Sequence, residues 1–293
     1  VGQGASLRTP LSFGLGIIRR IAARRTDPVD PIDAAHLTGA SRPSPPIYRY
    51  GPSAPLAELV GRYWIPVWSL PRPSTQSTLQ HPMCLIVISN TYARFYTVVR
   101  GLSTVTLEGD GWAAGVMLRP AAGRLMLQRS VSEVTDTHLP LEALPGLNGE
   151  ALAREVTEAM THDPSAVDSH RRAIAAYEKA LTPLLPVDEP GLVINALIDW
   201  LGQHPEVTRV ADVADAFGLS QRALQRLVVD RVGLTPKWLI QRRRLHDAVS
   251  GLKSGTTSLA DLAAELGYVD QAHFTRDFKT VTGLTPGQYL ADQ

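Results

Sequence analysis

The sequence predicts an α+β chain in two parts. The first is an antiparallel β barrel or sandwich with flanking helices. The second is all-α, with one helical unit occurring twice around a joining helix. Three observations carry this. Between about Pro55 and Pro145 short apolar runs alternate with Gly, Pro and Asn, the texture of short antiparallel strands. After Pro190 the apolar periodicity is helical throughout. Within that helical part, Val210–Gly218 lies over Leu259–Gly267 at an offset of 49 residues, an internal repeat.

The composition bounds the rest. A length of 293 residues suits about two domains. Apolar residues make up 44% and charged residues 19%, which excludes a disordered, fibrous or membrane-bundle chain. No stretch approaches the roughly 18 uncharged apolar residues of a spanning helix. The single cysteine, Cys84, excludes an internal disulfide. A net charge of +1 says nothing about partners. Residues 1–45 hold six arginines against three aspartates and read as a loosely ordered basic extension, or as an amphipathic arm packed on the body or a partner. The apolar run Leu11–Ile18 has Arg19 and Arg20 behind it, the reverse of a secretory signal. The cytoplasm is the expected compartment.

Prolines at 43, 45, 46, 52 and 55 precede the β-rich part, expected over 46–148. Its main strand candidates are Met83–Ser89, Arg94–Val99, Thr104–Leu107 and Trp112–Leu118, with residues 120–128 open between strand and short helix. Residues 149–183 read as a helical connector. Its second helix, 163–181, has Asp163 as N-cap and Pro164 at the first position. The stripe Val167, Ile174, Tyr177 and Leu181 either pairs with a second subunit or packs on its own barrel. Three prolines in 183–190 mark a linker at 184–190, and 191–293 is the helical part.

Each repeat copy has the same layout. A short helix ends at Gly218 or Gly267, glycine being the cheapest left-handed C-cap. Ser220 or Asp270 caps a second helix, whose apolar side is Leu224, Leu227 and Val228, or Phe274, Phe278 and Val281. Gly233-Leu-Thr-Pro236 then matches Gly283-Leu-Thr-Pro286. A short helix, a glycine turn and an amphipathic helix make a helix-turn-helix. At 100° per residue the outward faces carry Arg222, Arg226 and Val229 in one copy, with Gln225 on the flank. In the other they carry Gln271, Ala272, His273, Thr275, Arg276 and Lys279. Arg and Gln are the side chains that fork onto guanine and adenine edges in the major groove. The segment from 190 onward holds eleven basic and eleven acidic side chains, so only their distribution argues for nucleic acid. The joining helix, expected over Pro236–Leu252, is long enough, at roughly 25 Å, to set two reading heads near one DNA turn apart. Arg242, Arg243 and Arg244 lie on it, either reaching phosphates or tied to neighbouring acids.

Residues 190–290 resemble the DNA-binding domain of AraC/XylS-type transcription regulators. The resemblance rests on Gly218-Leu-Ser220, Leu224-Gln-Arg226, Arg243-Arg-Leu245, Leu259-Ala-Asp-Leu-Ala263, Gly267-Tyr268, Phe274…Phe278-Lys279 and Gly283-Leu-Thr-Pro-Gly-Gln-Tyr289. It implies base reading by Arg222, Gln225, Arg226, Gln271, His273, Thr275 and Arg276. Ser220, Arg242, Arg243 and Lys279 are expected to hold phosphates. Ala272 departs from the pattern and offers only a methyl group; Val228 and Val229 stand where the family often has Phe-Lys. The resemblance also implies a separate, cupin-like sensing or dimerising domain, a homodimer, and RNA polymerase as a partner. Trp64, Pro82–Ser89, Gly115–Pro120 and Thr135-Asp136 look like one uncharacterised N-terminal type among these regulators.

In the β-rich part no His-x-His strand occurs, so no metal or other cofactor is expected. A small-molecule effector pocket is expected from Trp64, Trp68, Tyr92, Tyr96, Trp112 and Arg119, the bland alternative being that these aromatics fill the core. Cys84 reads as a small buried hydrophobe or as a redox or alkylation sensor. The leading expectation is a non-enzymatic, sequence-specific regulator of double-stranded DNA, modulated by a small molecule and not associated with a membrane. The alternatives are a Cys-based DNA-damage or redox sensor with an attached helix-turn-helix domain, and a scaffold whose helical pairs bind protein.

Overall fold

The structure is a computed structural model that describes residue 37 and residues 45–255 and 258–291. The extension expected over 1–45 lies almost wholly outside the described residues.

Six strands form one antiparallel sheet: β1 (Ile47–Tyr50), β2 (Val60–Thr78), β3 (Leu85–Ser89), β4 (Ala93–Tyr96), β5 (Ser103–Leu118) and β6 (His138–Pro140). Their order is β1-β2-β5-β3-β4-β6. The sheet is antiparallel throughout, as expected, and leaves β1 and β6 as edges instead of closing a barrel. β2 and β5 run much further than the apolar runs foretold. Thr104–Leu107 and Trp112–Leu118 are one strand, because Gly109, Asp110 and Gly111 pair with Leu70, Ser69 and Trp68. Opposite them, Pro71-Arg72-Pro73 falls in a register shift between Leu70 and Ser74, where residues without an N–H do no harm to the ladder.

The period of two sorts the side chains. Tyr63 and Ile65 of β2, Ile86 and Ile88 of β3, Phe95 of β4 and Ala114 and Val116 of β5 are buried in one core. Over that face lie α1 (Pro120–Leu127), α2 (Gly149–Met160) and α3 (Val167–Leu181). The 120–128 ambiguity therefore resolves as helix, with Pro120 at its first turn and Gln128 left-handed at its end. α3 starts later than expected. Asp163 instead closes the turn before it, accepting from Ser165 N at 3.0 Å, and Ala166 takes the N-cap position. The α3 stripe covers this chain's own sheet: Tyr177 and Leu181 are buried, and the Tyr177 hydroxyl donates to Ala114 O at 2.7 Å. Val167 stays exposed.

The helical part comprises α4 (Glu189–Gln203), α5 (Val210–Ala216), α6 (Gln221–Val232), α7 (Pro236–Ser254), α8 (Leu259–Glu265), α9 (Gln271–Thr282) and α10 (Pro286–Ala291). The core does not break at 184–190. Leu224, Val228, Val232, Leu239 and Ile240 belong to the same apolar cluster as the sheet. Leu245, Val249, Leu252, Leu262, Phe274, Phe278 and Tyr289 form a second cluster, which Leu79 at the end of β2 joins. The first helix-turn-helix is thus fused to the sheet, and the second has a core of its own, with α7 contributing to both.

Asn195, 1% exposed, pins the junction. Its Oδ1 accepts from Ala121 N at 3.0 Å and its Nδ2 donates to Glu58 O at 2.8 Å and Glu58 Oε2 at 3.1 Å. Replacing Asn195 with Leu leaves a buried N–H and a carbonyl without partners. At about 1–3 kcal/mol for each orphaned group, a loss of roughly 2–4 kcal/mol is expected. Urea unfolding measures it, and a loss under about 1 kcal/mol would show that the junction relaxes around the change.

Candidate nucleic-acid interface

Both helix-turn-helix units are built by the same local chemistry. α5 ends before Gly218 (φ +62°) and α8 before Gly267 (φ +71°), both glycines left-handed. Ser220 accepts from Ala223 N at 3.2 Å to start α6, and Asp270 accepts from His273 N at 2.6 Å to start α9. Gly233 (φ +88°) and Gly283 (φ +76°) end these helices. Ser220→Ala or Asp270→Ala removes one cap and is expected to cost about 1 kcal/mol. A matching drop in thermal midpoint checks it, and an unchanged midpoint counts against the cap.

Leu224 and Val228 are buried on the inner side of α6, and Phe274 and Phe278 on that of α9. Outward, Arg222, Gln225 and Arg226 are exposed, as are Gln271, Ala272, His273, Arg276 and Lys279; Thr275 is half-buried. Among the described residues the side chains of Arg222, Gln225, Arg226, Gln271, Arg276 and Lys279 make no hydrogen bond or ion pair. The nearest acid, Asp277, is turned inward. It accepts from Tyr268 Oη at 2.8 Å and is also bonded by Gln241 Nε2. Each outward face therefore presents unengaged cations and amides. Lys237, exposed at the start of α7, is a further unengaged cation that spacing alone did not single out.

The expected phosphate role of Arg242 and Arg243 is corrected by their burial. Arg242 is 1% exposed. Its Nη2 donates to Val99 O, Arg100 O and Gly101 O at 3.0, 2.6 and 3.3 Å, in the loop between β4 and β5. Arg243 pairs with Asp247 at 3.0 Å and donates to Val207 O at 2.9 Å. Arg244 lies over the Tyr268 ring at 3.7 Å and donates to Leu266 O at 2.8 Å. α7 is a packed strut, so its arginines find carbonyls, an acid and a ring before they find solvent.

On the same face of α7, His246 is buried and stacks on His81 at 3.9 Å with ring planes 10° apart. Burial, with His81 and Arg242 facing it, holds its pKa well below the ordinary value of 6.5. The native state therefore binds fewer protons than the unfolded state once pH falls below about 6.5, and stability declines from there downward. A denaturation midpoint that falls between pH 7.5 and 5.5, with a flatter dependence in His246→Leu, is expected. An identical slope in both proteins would refute the assignment.

The expected pocket residues divide. Trp64, Trp68, Tyr92 and Tyr96 line a cavity of about 530 Å³ on the sheet face opposite the main core. Trp112 does not. It lies in register with Ala114, Val116 and Leu118, so the two-residue period turns it into the main core. Arg119 follows the end of β5 and pairs with Asp199 of α4 at 2.7 Å. The reading missed Arg94, His81 and His138, which do line the cavity. Their alternation with Phe95 and the strand ends was the available signal. Cys84 is buried, and desolvation pushes its thiol up to about 12. It offers no exposed thiolate and behaves as a small apolar residue.

Among the described residues no helix is long and apolar enough to cross a membrane. The chain matches the model of a helix-turn-helix domain over residues 213–292, and that of a domain of unknown function, DUF6597, over 48–140. It is 33% identical over 100 residues to the probable transcription factor PqrA of Proteus vulgaris, covering 33% of this chain and 82% of that protein. It is 35% identical over 94 residues to the transcriptional activator RhaS of Escherichia fergusonii, covering 32% of this chain but only 34% of RhaS. A crystal structure of ToxT from Vibrio cholerae aligns over 85% of this chain and 98% of its own, at 12% identity and a TM-score of 0.38.

Proposed function

The chain belongs to the AraC/XylS-type transcription regulators, and from that premise we propose that it reads two consecutive major-groove segments of double-stranded DNA with α6 and α9. Arg222, Gln225, Arg226, Gln271, His273, Thr275 and Arg276 contact base edges. Ser220, Lys279 and Lys237 hold phosphates. One observation carries the reading. Among the described residues the side chains of Arg222, Gln225, Arg226, Gln271 and Arg276 on two duplicated helices stand exposed and without hydrogen bonds or ion pairs, while Arg209, Arg231 and Arg242–Arg244 are all tied to acids, carbonyls or rings. Side chains presented without internal partners suit external ones.

The sheet's cavity takes a small-molecule effector in this reading. Its volume suits one, since ligand sites usually measure about 300–1,000 Å³. Contacts with RNA polymerase, a homodimeric state and a cytoplasmic location belong to the same proposal, and regulation without catalysis is its working mode. The match to these regulators covers about a third of this chain, so operator, genes and effector are not carried over from them.

The test is selection of genomic fragments by the purified protein at two salt concentrations. An enriched site with two blocks about ten base pairs apart, bound less tightly at the higher salt, is the expected result. Binding with no sequence preference at either salt would overturn the double-head reading.

A further inference from the structure

We propose that the cavity on the open face of the sheet binds a flat, apolar anion, such as an aromatic carboxylate. This rests on the small-molecule reading above and names the ligand's class.

The flat surface is built by strand register. Trp64 pairs with Gly115 and Trp68 with Gly111 across β2 and β5. An ideal Cβ at Gly115 would fall 2.2 Å from the Trp64 ring, and one at Gly111 would fall 2.5 Å from the Trp68 ring. Each indole therefore lies across a glycine, in space that any other residue would fill. Four residues apart on one strand, the two rings share a face. Trp68 Nε1 is further held by Glu108 O at 3.3 Å. Tyr92, just before β4, and Tyr96 at its end add an edge-to-face pair 6.5 Å apart. The result is an aromatic lining arranged by the backbone, suited to stacking against a planar ligand.

Charge selects the sign. An aromatic lining by itself also suits a cation, through the negative ring faces. Here the lining holds a permanent cation, Arg94, and no Asp or Glu among the described residues. The Arg94 guanidinium sits 4.6 Å from the centre of the Tyr92 ring and has no ion-pair partner among the described residues. A ligand cation would meet a like charge with no carboxylate to offset it. A ligand carboxylate would gain charge-assisted hydrogen bonds to a planar fork of donors. His138, whose ring lies 5.5 Å from that of Tyr96, adds a polar side chain to the lining without adding an acid. The apolar remainder includes Leu85, Val87 and Met117, and the polar side chains beside it, such as Gln76, Gln80 and Thr104, are neutral and leave Arg94 as the charge that sets the sign.

Calorimetry on the full chain tests this with three probes of one shape: fluorene-2-carboxylate, fluorene-2-methanol and fluorene-2-methylammonium. The carboxylate should bind roughly tenfold or more tightly than the alcohol, and the ammonium most weakly, since a hydrogen bond to a charged group is commonly worth a factor of ten or more. Arg94→Met should bring the carboxylate down to the alcohol's affinity and leave the alcohol unchanged. Arg94→Lys should keep part of the preference, which guards against a variant that merely misfolds. Gly115→Val, which displaces the Trp64 indole, should weaken carboxylate and alcohol alike. If the alcohol or the ammonium binds as tightly as the carboxylate, or Arg94→Met leaves the preference intact, the anion assignment falls while the effector pocket stands. If none of the three binds to any of the proteins, the effector-pocket reading falls with it.

Discussion

Alanine at both Arg226 and Arg276 is expected to weaken binding to the selected DNA site by roughly 2–6 kcal/mol, about 1–3 kcal/mol from each arginine. The two lie on α6 and α9, at matching positions of the repeat, exposed and without protein partners. Their helices pack into different apolar clusters, Leu224 and Val228 into one, Phe274 and Phe278 into the other. Sites that share no partners add within about 0.5 kcal/mol, so the double variant should match the sum of the singles. Neither change leaves a buried group unsatisfied, so unfolding midpoints should not move. Each single variant should also relax base preference in one block of the site and leave the other block sharp. Lys279→Ala should behave differently, weakening all sequences alike and reducing the salt dependence by about one charge. Titration of each variant against the site and against versions scrambled in one block separates these cases. A single variant that blurred both blocks would mean that one helix alone reads the DNA.

How far the sequence carried this picture differs between the two parts for a physical reason. In the helical part, local signals and tertiary structure agree. Gly218, Gly267, Ser220 and Asp270 are capping residues whose preference is set within a few residues, and all four act as read. The outward faces of α6 and α9 follow from one periodicity, so their exposed residues were legible too. The sheet was harder. The outer half of β2 is rich in Ser, Thr and Pro, and backbone pairing with β5 holds it as a strand. Nothing in its own pattern announces that. The cavity was half legible. Trp64 and Trp68 were found as aromatics, but Trp112 looked equivalent until the register put it on the opposite face. Arg94 is one charged residue in a strand, and only the fold shows that no acid accompanies it into the lining. Arg242–Arg244 stayed open between phosphates and internal acids because a run of arginines looks solvent-facing. What it meets is decided by long-range packing, and here that packing supplies backbone carbonyls.

Arg242→Met is expected to lower stability by roughly 2–4 kcal/mol, and two opposing effects set that figure. Burial pushes the guanidinium down to about 10 from its ordinary 12.5. At about 1.4 kcal/mol per tenfold that is a desolvation cost of roughly 3 kcal/mol, which Met would relieve. Against it, Nη2 serves three carbonyls, those of Val99, Arg100 and Gly101. At about 1.5–3 kcal/mol for each hydrogen bond made by a charged group, losing these bonds outweighs the relief. The guanidinium also stacks over Trp238 at 4.6 Å, a contact worth up to about 2 kcal/mol when desolvated. Met keeps the volume but not the plane or the charge. The loss should concentrate where Arg242 joins two bodies. The loop from Val99 to Gly101 leads from the cavity strand β4 into β5, and α7 leads into the second helix-turn-helix. Amide hydrogen exchange should therefore rise in β4, in the loop and in the second half of α7. α4 and α6, held by Asn195 and by the Arg231–Asp188 pair, should stay protected. A variant as stable as the parent, or more stable, would mean that the buried charge is a net burden. The linker helix would then be held to the sheet by apolar packing alone.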